Sequence, residues 1–390
     1  MILAGEVSGD VRAAELVRAV RKASAAHGEE AQPTFLGTGP ALEKAGARLI
    51  LDLTAHAVIG HLDFLRAGAF KFFHFFDQLL DKALQERPDV FVFVDYSGFN
   101  LRFAKALRHR VESQAPGSFN NWNPKFVYYV SPQVWASRPG RAAQIEENID
   151  LMLSIFPFEK EWYARRAPRL HVEYVGYPLL DTYLAIGAAG ETRRKNRKEP
   201  LVVALPGSRH KEVERHVPVM LEALRKIQAE QPIRIVMILP NSSLAEFARE
   251  LIGDQIEIEI QVGTQGDVLP EADLAITKSG SVTMECALFG VPAVVIYIAN
   301  WLAYQVGRRI VKVRFLAMPN LIADEMVYPE LIQDEATGAN IARQSLYMLE
   351  NSDYRESVRR KLAGVIDALG QRGASRRAAD HIWRLLKAGN

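Results

Sequence analysis

Cysteine is nearly absent. Cys286 is the only one in 390 residues, which excludes an intrachain disulfide and a cysteine-based zinc cluster and suits a reducing compartment. Long apolar runs are missing as well. The most apolar stretches, Val90–Val94 and Pro292–Ala299, fall far below the ~20 residues that span a bilayer, so any membrane association is expected to be peripheral. Met1–Ala4 runs at once into Gly5-Glu6, and no secretory leader is expected. Neither sign of charge dominates: 48 Lys and Arg against 46 Asp and Glu leave a net +2, which gives nucleic-acid binding no support. The first turn lacks a GxGxxG fingerprint, so a dinucleotide site has little backing. The chain shows no repeat period and no low-complexity tract.

Hydrophobic residues make up 48% of the chain, and its length suits two domains at ~100–200 residues each. The most informative stretch is Ile276–Tyr297. An apolar strand pattern over Asp273–Thr277 stops at Lys278-Ser279-Gly280-Ser281. A helical pattern over Val282–Phe289 follows, then Gly290-Val291-Pro292, then a strand at Ala293–Tyr297. Ser279, Gly280 and Ser281 fall at a helix start, where free N–H groups favour an anion. Glu285, one turn on, is within reach of a ligand hydroxyl. The reading is a phosphate-and-sugar grip, against the plainer one of an ordinary βαβ connection with serine caps. Leu201–Leu205 repeats the pattern before Pro206-Gly207-Ser208-Arg209, where Arg209 is able to grip a phosphate in bidentate fashion. Ile256–Val262 ends in a third polar turn carrying Gln265.

The N-terminal half has the same grammar. Met1–Ala4 reads as a very short strand, a brevity that leaves open whether the chain starts upstream. Gly5–Asp10 follows, then a helix over Val11–Lys22, which is the opening of a doubly wound sheet. Glu6, Ser8 and Asp10 lie at the carboxyl end of that strand, with Asp10 equally suited to cap a helix. Asp89–Val94 is the clearest strand, and Asp95 at its tip is expected to serve as a general base once burial raises its pKa. Asn100 is either a contact or a tie for that turn. After the strand Lys125–Val130, the loop with Gln133, Trp135, Arg138 and Arg141 carries donors suited to a phosphate or sugar. Six phenylalanines between Phe64 and Phe76, flanked by Arg66, Lys71 and His74, fit a buried helix, a dimer contact, or a surface that enters a bilayer or holds acyl chains. The boundary is expected at Gly187–Pro200, whose basic cluster Arg193–Lys198 reads as a solvated loop or a membrane patch. Trp301–Phe315 reads as a basic amphipathic helix. The segment 336–390 is helical, broken at Gly370–Gly373.

AGEVSGD (Ala4–Asp10), FVDYSGFN (Phe93–Asn100), YVSPQVWASRPGR (Tyr129–Arg141), FPFE (Phe156–Glu159), VGYPLLD (Val175–Asp181), LPGSRHKEV (Leu205–Val213), KSGSVTMECAL (Lys278–Leu288) and MPNLIA (Met318–Ala323) together resemble the lipid-A-disaccharide synthase family, in its order and over nearly the whole chain. The resemblance implies an α/β GT-B fold: two doubly wound Rossmann-like domains facing a cleft, residues 1–186 on the acceptor and membrane side and 200–335 binding the UDP-sugar, with 336–390 packing back on the first. It implies a cytoplasmic inverting glycosyltransferase, peripheral to the inner membrane and needing no metal or other cofactor. That enzyme joins UDP-2,3-diacylglucosamine to 2,3-diacylglucosamine 1-phosphate. By matched position Asp95, Glu6 and Ser8 are the catalytic and acceptor-side candidates, with Asp95 taking the 6-hydroxyl proton. Arg209, Ser279, Gly280, Ser281 and Glu285 would hold UDP, and Asn320 of MPNLIA joins the candidate contacts.

Three positions depart from the family pattern. Ser137 stands where a second tryptophan is usual, Tyr177 where a histidine is usual, and Gly98 where a second acidic residue is frequent. Each bears on acyl-chain or acceptor preference, or marks a divergent paralogue. Another GT-B UDP-sugar enzyme, such as an epimerase or a UDP-glucosamine transferase, would share the C-terminal grip but has no use for the phenylalanine cluster. A non-catalytic nucleotide-sugar-binding protein would be expected to have lost Asp95 and Glu6.

Overall fold

The computed structural model describes residues 1–26, 33–54, 69–114, 121–183 and 198–387, the side chains of 69–73 excepted. The chain divides into two compact units, Met1–Asp181 with Gln371–Asn390, and Thr182–Gly370. The helices after 336 are thus shared out: Gly338–Glu350 and Ser352–Ala368 belong to the second unit and Ala374–Lys387 to the first.

The first unit is built on a seven-stranded parallel sheet of β1 (Ile2–Ala4), β2 (Leu36–Gly37), β3 (Arg48–Leu49), β4 (Val90–Val94), β5 (Lys125–Tyr129), β6 (Leu151–Ser154) and β7 (His171–Tyr174), in the order 3-2-1-4-5-6-7. β4 reads VFVFV and is buried at every position. Both of its faces are apolar because helices cover both sides of a parallel sheet. Phe91 and Phe93 share one face and meet Phe126 edge-on at 5.4 and 5.7 Å. The order reverses direction between β1 and β4, and such a switch point leaves a crevice at the strands' carboxyl ends.

The second unit has six parallel strands, β8 (Leu201–Leu205), β9 (Arg234–Leu239), β10 (Glu259–Val262), β11 (Leu274–Lys278), β12 (Ala293–Tyr297) and β13 (Glu330–Ile332), ordered 10-9-8-11-12-13. Its switch point lies between β8 and β11. Gly290, at φ +60, ends the helix Val282–Leu288 in the left-handed region that glycine tolerates, and Pro292 follows.

Several expected boundaries move. The first helix runs Val7–Ala26, so Ser8 and Asp10 lie in its opening turn rather than ahead of it. The basic helix stops at Ile310, short of Phe315. Phe64 and most of Arg193–Lys198 lie outside the described residues, as do the side chains of Phe70, Phe72 and Phe73. At the described end of the phenylalanine-rich stretch, Phe76 packs edge-on against Phe99 and Phe103 at 5.5 and 5.4 Å, which is core packing.

Candidate functional site

In the first unit the loops after β1 and β4 carry the candidates. Asp95 and Tyr96 are consecutive non-glycine residues at φ +50 and +39, a conformation that costs roughly 1–2 kcal/mol per residue. Three neighbours hold them there. The Asn100 Nδ2 group donates to the carbonyls of Val94 and Asp95 at 3.1 and 3.0 Å and reaches Leu3 O at 3.4 Å. The Tyr128 hydroxyl donates to Asp95 O at 2.5 Å. Gly5 leaves room for the Tyr96 ring, since a Cβ there would lie 2.2 Å from its Cδ1. Asn100 is fully buried and braces the turn, the second of the two roles open to it from the sequence.

This bracing presents the Asp95 carboxylate at the switch point, where it forms an ion pair with Arg12. Burial pushes the Asp95 pKa above its ordinary value; Arg12 opposes that shift and Glu6 adds to it. A carboxylate raised in this way is a better proton acceptor than one in water. Glu6 is half-buried and Ser8 exposed, and among the described residues neither side chain is engaged in a hydrogen bond.

Three other candidate contacts are turned inward. Asp10 is only 2% exposed, and its oxygens accept the N–H groups of Ala41 and Leu42 at 2.7 and 3.0 Å, capping the neighbouring helix Pro40–Lys44. Trp135 is buried edge-on against Phe156 and Phe158, and its Nε1 donates to Glu159 at 3.0 Å. Glu159 is itself fully buried and also accepts from the Ile155 and Phe156 amides, while burial pushes its pKa up to about 7. In the second unit Asn320 spends every polar group on Val327, Tyr328 and Glu330. In each case internal hydrogen bonds have taken polar atoms that a ligand would need. Gln133 and Arg138 remain exposed. Of the three departures, Tyr177 is buried against Phe156 at 5.6 Å, and Gly98 has open space where a Cβ would stand.

The second unit brings Arg209 and Lys278 to adjacent strand ends. Gly207 sits at φ +132, and a Cβ there would meet Glu212 Oε2 at 2.6 Å. That clearance lets Glu212 accept the Ser208 amide at 2.9 Å and pair with Lys278 at 3.1 Å. Burial works against the Glu212 charge, but Lys278, the Ser208 amide and Arg209 prevail and hold its pKa below the usual value. His216 ties the same loop to the end of β12. Its Nδ1 lies 2.7 Å from Pro206 O, and the Ile298 amide donates to Nε2 at 3.0 Å. These bonds fix the neutral tautomer, and burial lowers its pKa.

Arg209 points outward, with 72% of its side chain exposed. Ser279 donates to Leu316 O at 3.0 Å, while Ser281 is exposed. The helix behind them is only seven residues long, so positive charge here comes chiefly from Arg209 and Lys278 rather than from a dipole. The Glu285 side chain makes no hydrogen bond or ion pair among the described residues, and burial pushes its pKa up to about 7. Tyr183 stands next to it, packed on Phe289 at 5.4 Å and against Gly266, which follows Gln265. Arg12, Glu212, His216, Lys278 and Tyr183 were not among the residues singled out from the sequence as candidates. Of these, Lys278 and Glu212 lie inside the quoted motifs.

Two doubly wound units, each with its polar residues at the switch point, make up the GT-B architecture. Solved structures agree on the fold: the Staphylococcus aureus MnaA–UDP co-structure aligns with TM-score 0.62 at 14% identity over 99% of this chain and 96% of its own. Acinetobacter baumannii MurG aligns with TM-score 0.54 at 16% identity over 98% and 99%. The chain belongs to the lipid-A-disaccharide synthetase family, whose model matches residues 1–381. It is 35% identical to the lipid-A-disaccharide synthase of Solibacter usitatus over 99% of this chain and 97% of that protein. It is also 35% identical to that of Geobacter sulfurreducens, with the same coverage.

Proposed function

We propose that the protein transfers a diacylglucosamine unit from its UDP derivative to the 6-hydroxyl of 2,3-diacylglucosamine 1-phosphate, with inversion at the anomeric carbon. Asp95 takes the hydroxyl proton as the oxygen attacks, and the bond to UDP breaks. Arg12 orients the Asp95 carboxylate, and Glu6 and Ser8 stand on the acceptor side. In the second unit Arg209 and Lys278, with the Ser279–Ser281 turn, offset charge on the departing diphosphate. Glu285 accepts from a ligand hydroxyl. No described helix is long and apolar enough to cross a membrane; substrates with acyl chains make peripheral attachment to the cytoplasmic face of the inner membrane the expected mode of work.

The observation that carries this reading is a half-buried carboxylate held against Arg12 at the first unit's switch point, in a chain that matches the family over nearly its whole length. The test is UDP release from UDP-2,3-diacylglucosamine with and without the monosaccharide 1-phosphate. Release that depends on acceptor is expected. Release indifferent to acceptor would count against the reading and point to a hydrolase.

A further inference from the structure

Five of the ten large hydrophobic side chains exposed on the described residues lie in one short segment: Trp301 (71%), Leu302 (66%), Val306 (47%), Ile310 (38%) and Val311 (37%). The helix Trp301–Ile310 buries none of its residues. Leu302, Val306 and Ile310 recur every fourth position and so form one stripe. Tyr304, partly buried, lies on the other side of the helix. A stripe of this kind in water is unfavourable unless something covers it.

The charge around the stripe is one-sided. From Tyr297 to Ala323 the chain holds Arg308, Arg309, Lys312 and Arg314 and no acidic residue. All four are exposed, and none pairs with a carboxylate among the described residues. Arg308 and Arg314 only overlie Tyr304 and Phe315, at 5.7 and 4.9 Å. An acidic partner is therefore needed as well as an apolar one. Exposed Trp, Leu, Val and Ile beside unpaired Arg and Lys are what a helix lying in a bilayer interface carries, with apolar chains at the acyl boundary and cations at anionic headgroups.

We infer that the Leu302–Val306–Ile310 face, led by Trp301 and bordered by Arg308, Arg309, Lys312 and Arg314, is a docking surface for an anionic lipid bilayer. The inference rests on the proposed function only in that acyl-bearing substrates bring a bilayer within the enzyme's reach. None of these residues belongs to the candidate site.

The test is co-sedimentation of the full chain with vesicles of phosphatidylethanolamine and phosphatidylglycerol, compared with phosphatidylcholine alone, alongside calorimetry with UDP. The wild type is expected to sediment with the anionic vesicles. The double variant R308Q/R309Q should need roughly 30-fold more lipid for half-binding, which is about 2 kcal/mol for two charges. The triple variant L302S/V306S/I310S should lose binding, and both variants should bind UDP as the wild type does. Brominated acyl chains should quench tryptophan emission, and Trp301→Phe should remove the quenched component. Variants that sediment like the wild type, or quenching that survives Trp301→Phe, would overturn the inference. So would a change in lipid-free oligomeric state in the triple variant, which would make a second copy the occupant. Failure of the wild type to bind UDP would sink the proposed function and leave the vesicle result standing.

Discussion

Asp95 and Arg12, 83 positions apart in the chain, form an ion pair at the switch point of the first unit. The pair sets two opposing demands on one carboxylate: burial raises its pKa and Arg12 restrains the rise. A base works only when ionised, so activity must fall as the pH drops through its pKa. Arg12→Met removes the restraint. Its acid limb is expected to move to higher pH, so that turnover is lost first on the acidic side of the profile. A pH–rate profile checks this; an unmoved acid limb would remove Arg12 from the role.

Asn100 is predicted to act through the backbone. Asn100→Ala strips the Val94 and Asp95 carbonyls of a donor and leaves two left-handed residues without their main brace. A loss of about 2–4 kcal/mol is expected by urea denaturation, with acceptor-dependent turnover lost and UDP affinity kept. A variant of native stability would show that the bonds are dispensable.

Glu285 offers a trade between stability and binding. Its pKa in the folded protein is pushed from 4.5 to about 7 by burial. The folded state therefore holds the extra proton, and that stabilisation is complete below pH 4.5 and lost as pH rises through 7. The difference is about 3 kcal/mol at 1.36 kcal/mol per unit. Glu285→Gln is expected to raise the Tm by a few degrees at pH 8 and hardly at all at pH 4.5. UDP-sugar affinity should fall, because a hydroxyl loses its charged acceptor. Equal Tm shifts at both pH values would contradict the assignment.

Arg209→Ala is expected to weaken UDP binding by about 1.5–3 kcal/mol, roughly tenfold to a hundredfold, as loss of a charged hydrogen bond does. The exposed side chain is not needed for folding, so stability should hold. Unchanged affinity by calorimetry would take Arg209 out of the diphosphate site.

The two sheets were legible in the sequence because buried parallel strands such as VFVFV and LVVAL admit little else, and their polar ends marked both switch-point loops. Side-chain direction was not legible. Asp10, Trp135 and Asn320 lie in motifs that read from the sequence as polar turns, just as a ligand contact would, yet each is turned inward onto partners that only folding brings close. Arg12 and His216 escaped notice for the converse reason. Their partners, Asp95 and Ile298, lie 83 and 82 residues away, and a lone helical Arg or His carries no local sign of them. The helix start at Val7 was masked by Gly9, which reads as turn but lets the helix approach Asp95, its Cβ position lying 3.4 Å from Oδ2.

The central claim is that Asp95 removes the acceptor's proton, and the most direct measurement is acceptor-dependent UDP release by Asp95→Asn. The account predicts a loss of at least a hundredfold, with UDP affinity by calorimetry equal to that of the wild type. Acceptor-dependent release within a few fold of wild type would contradict it.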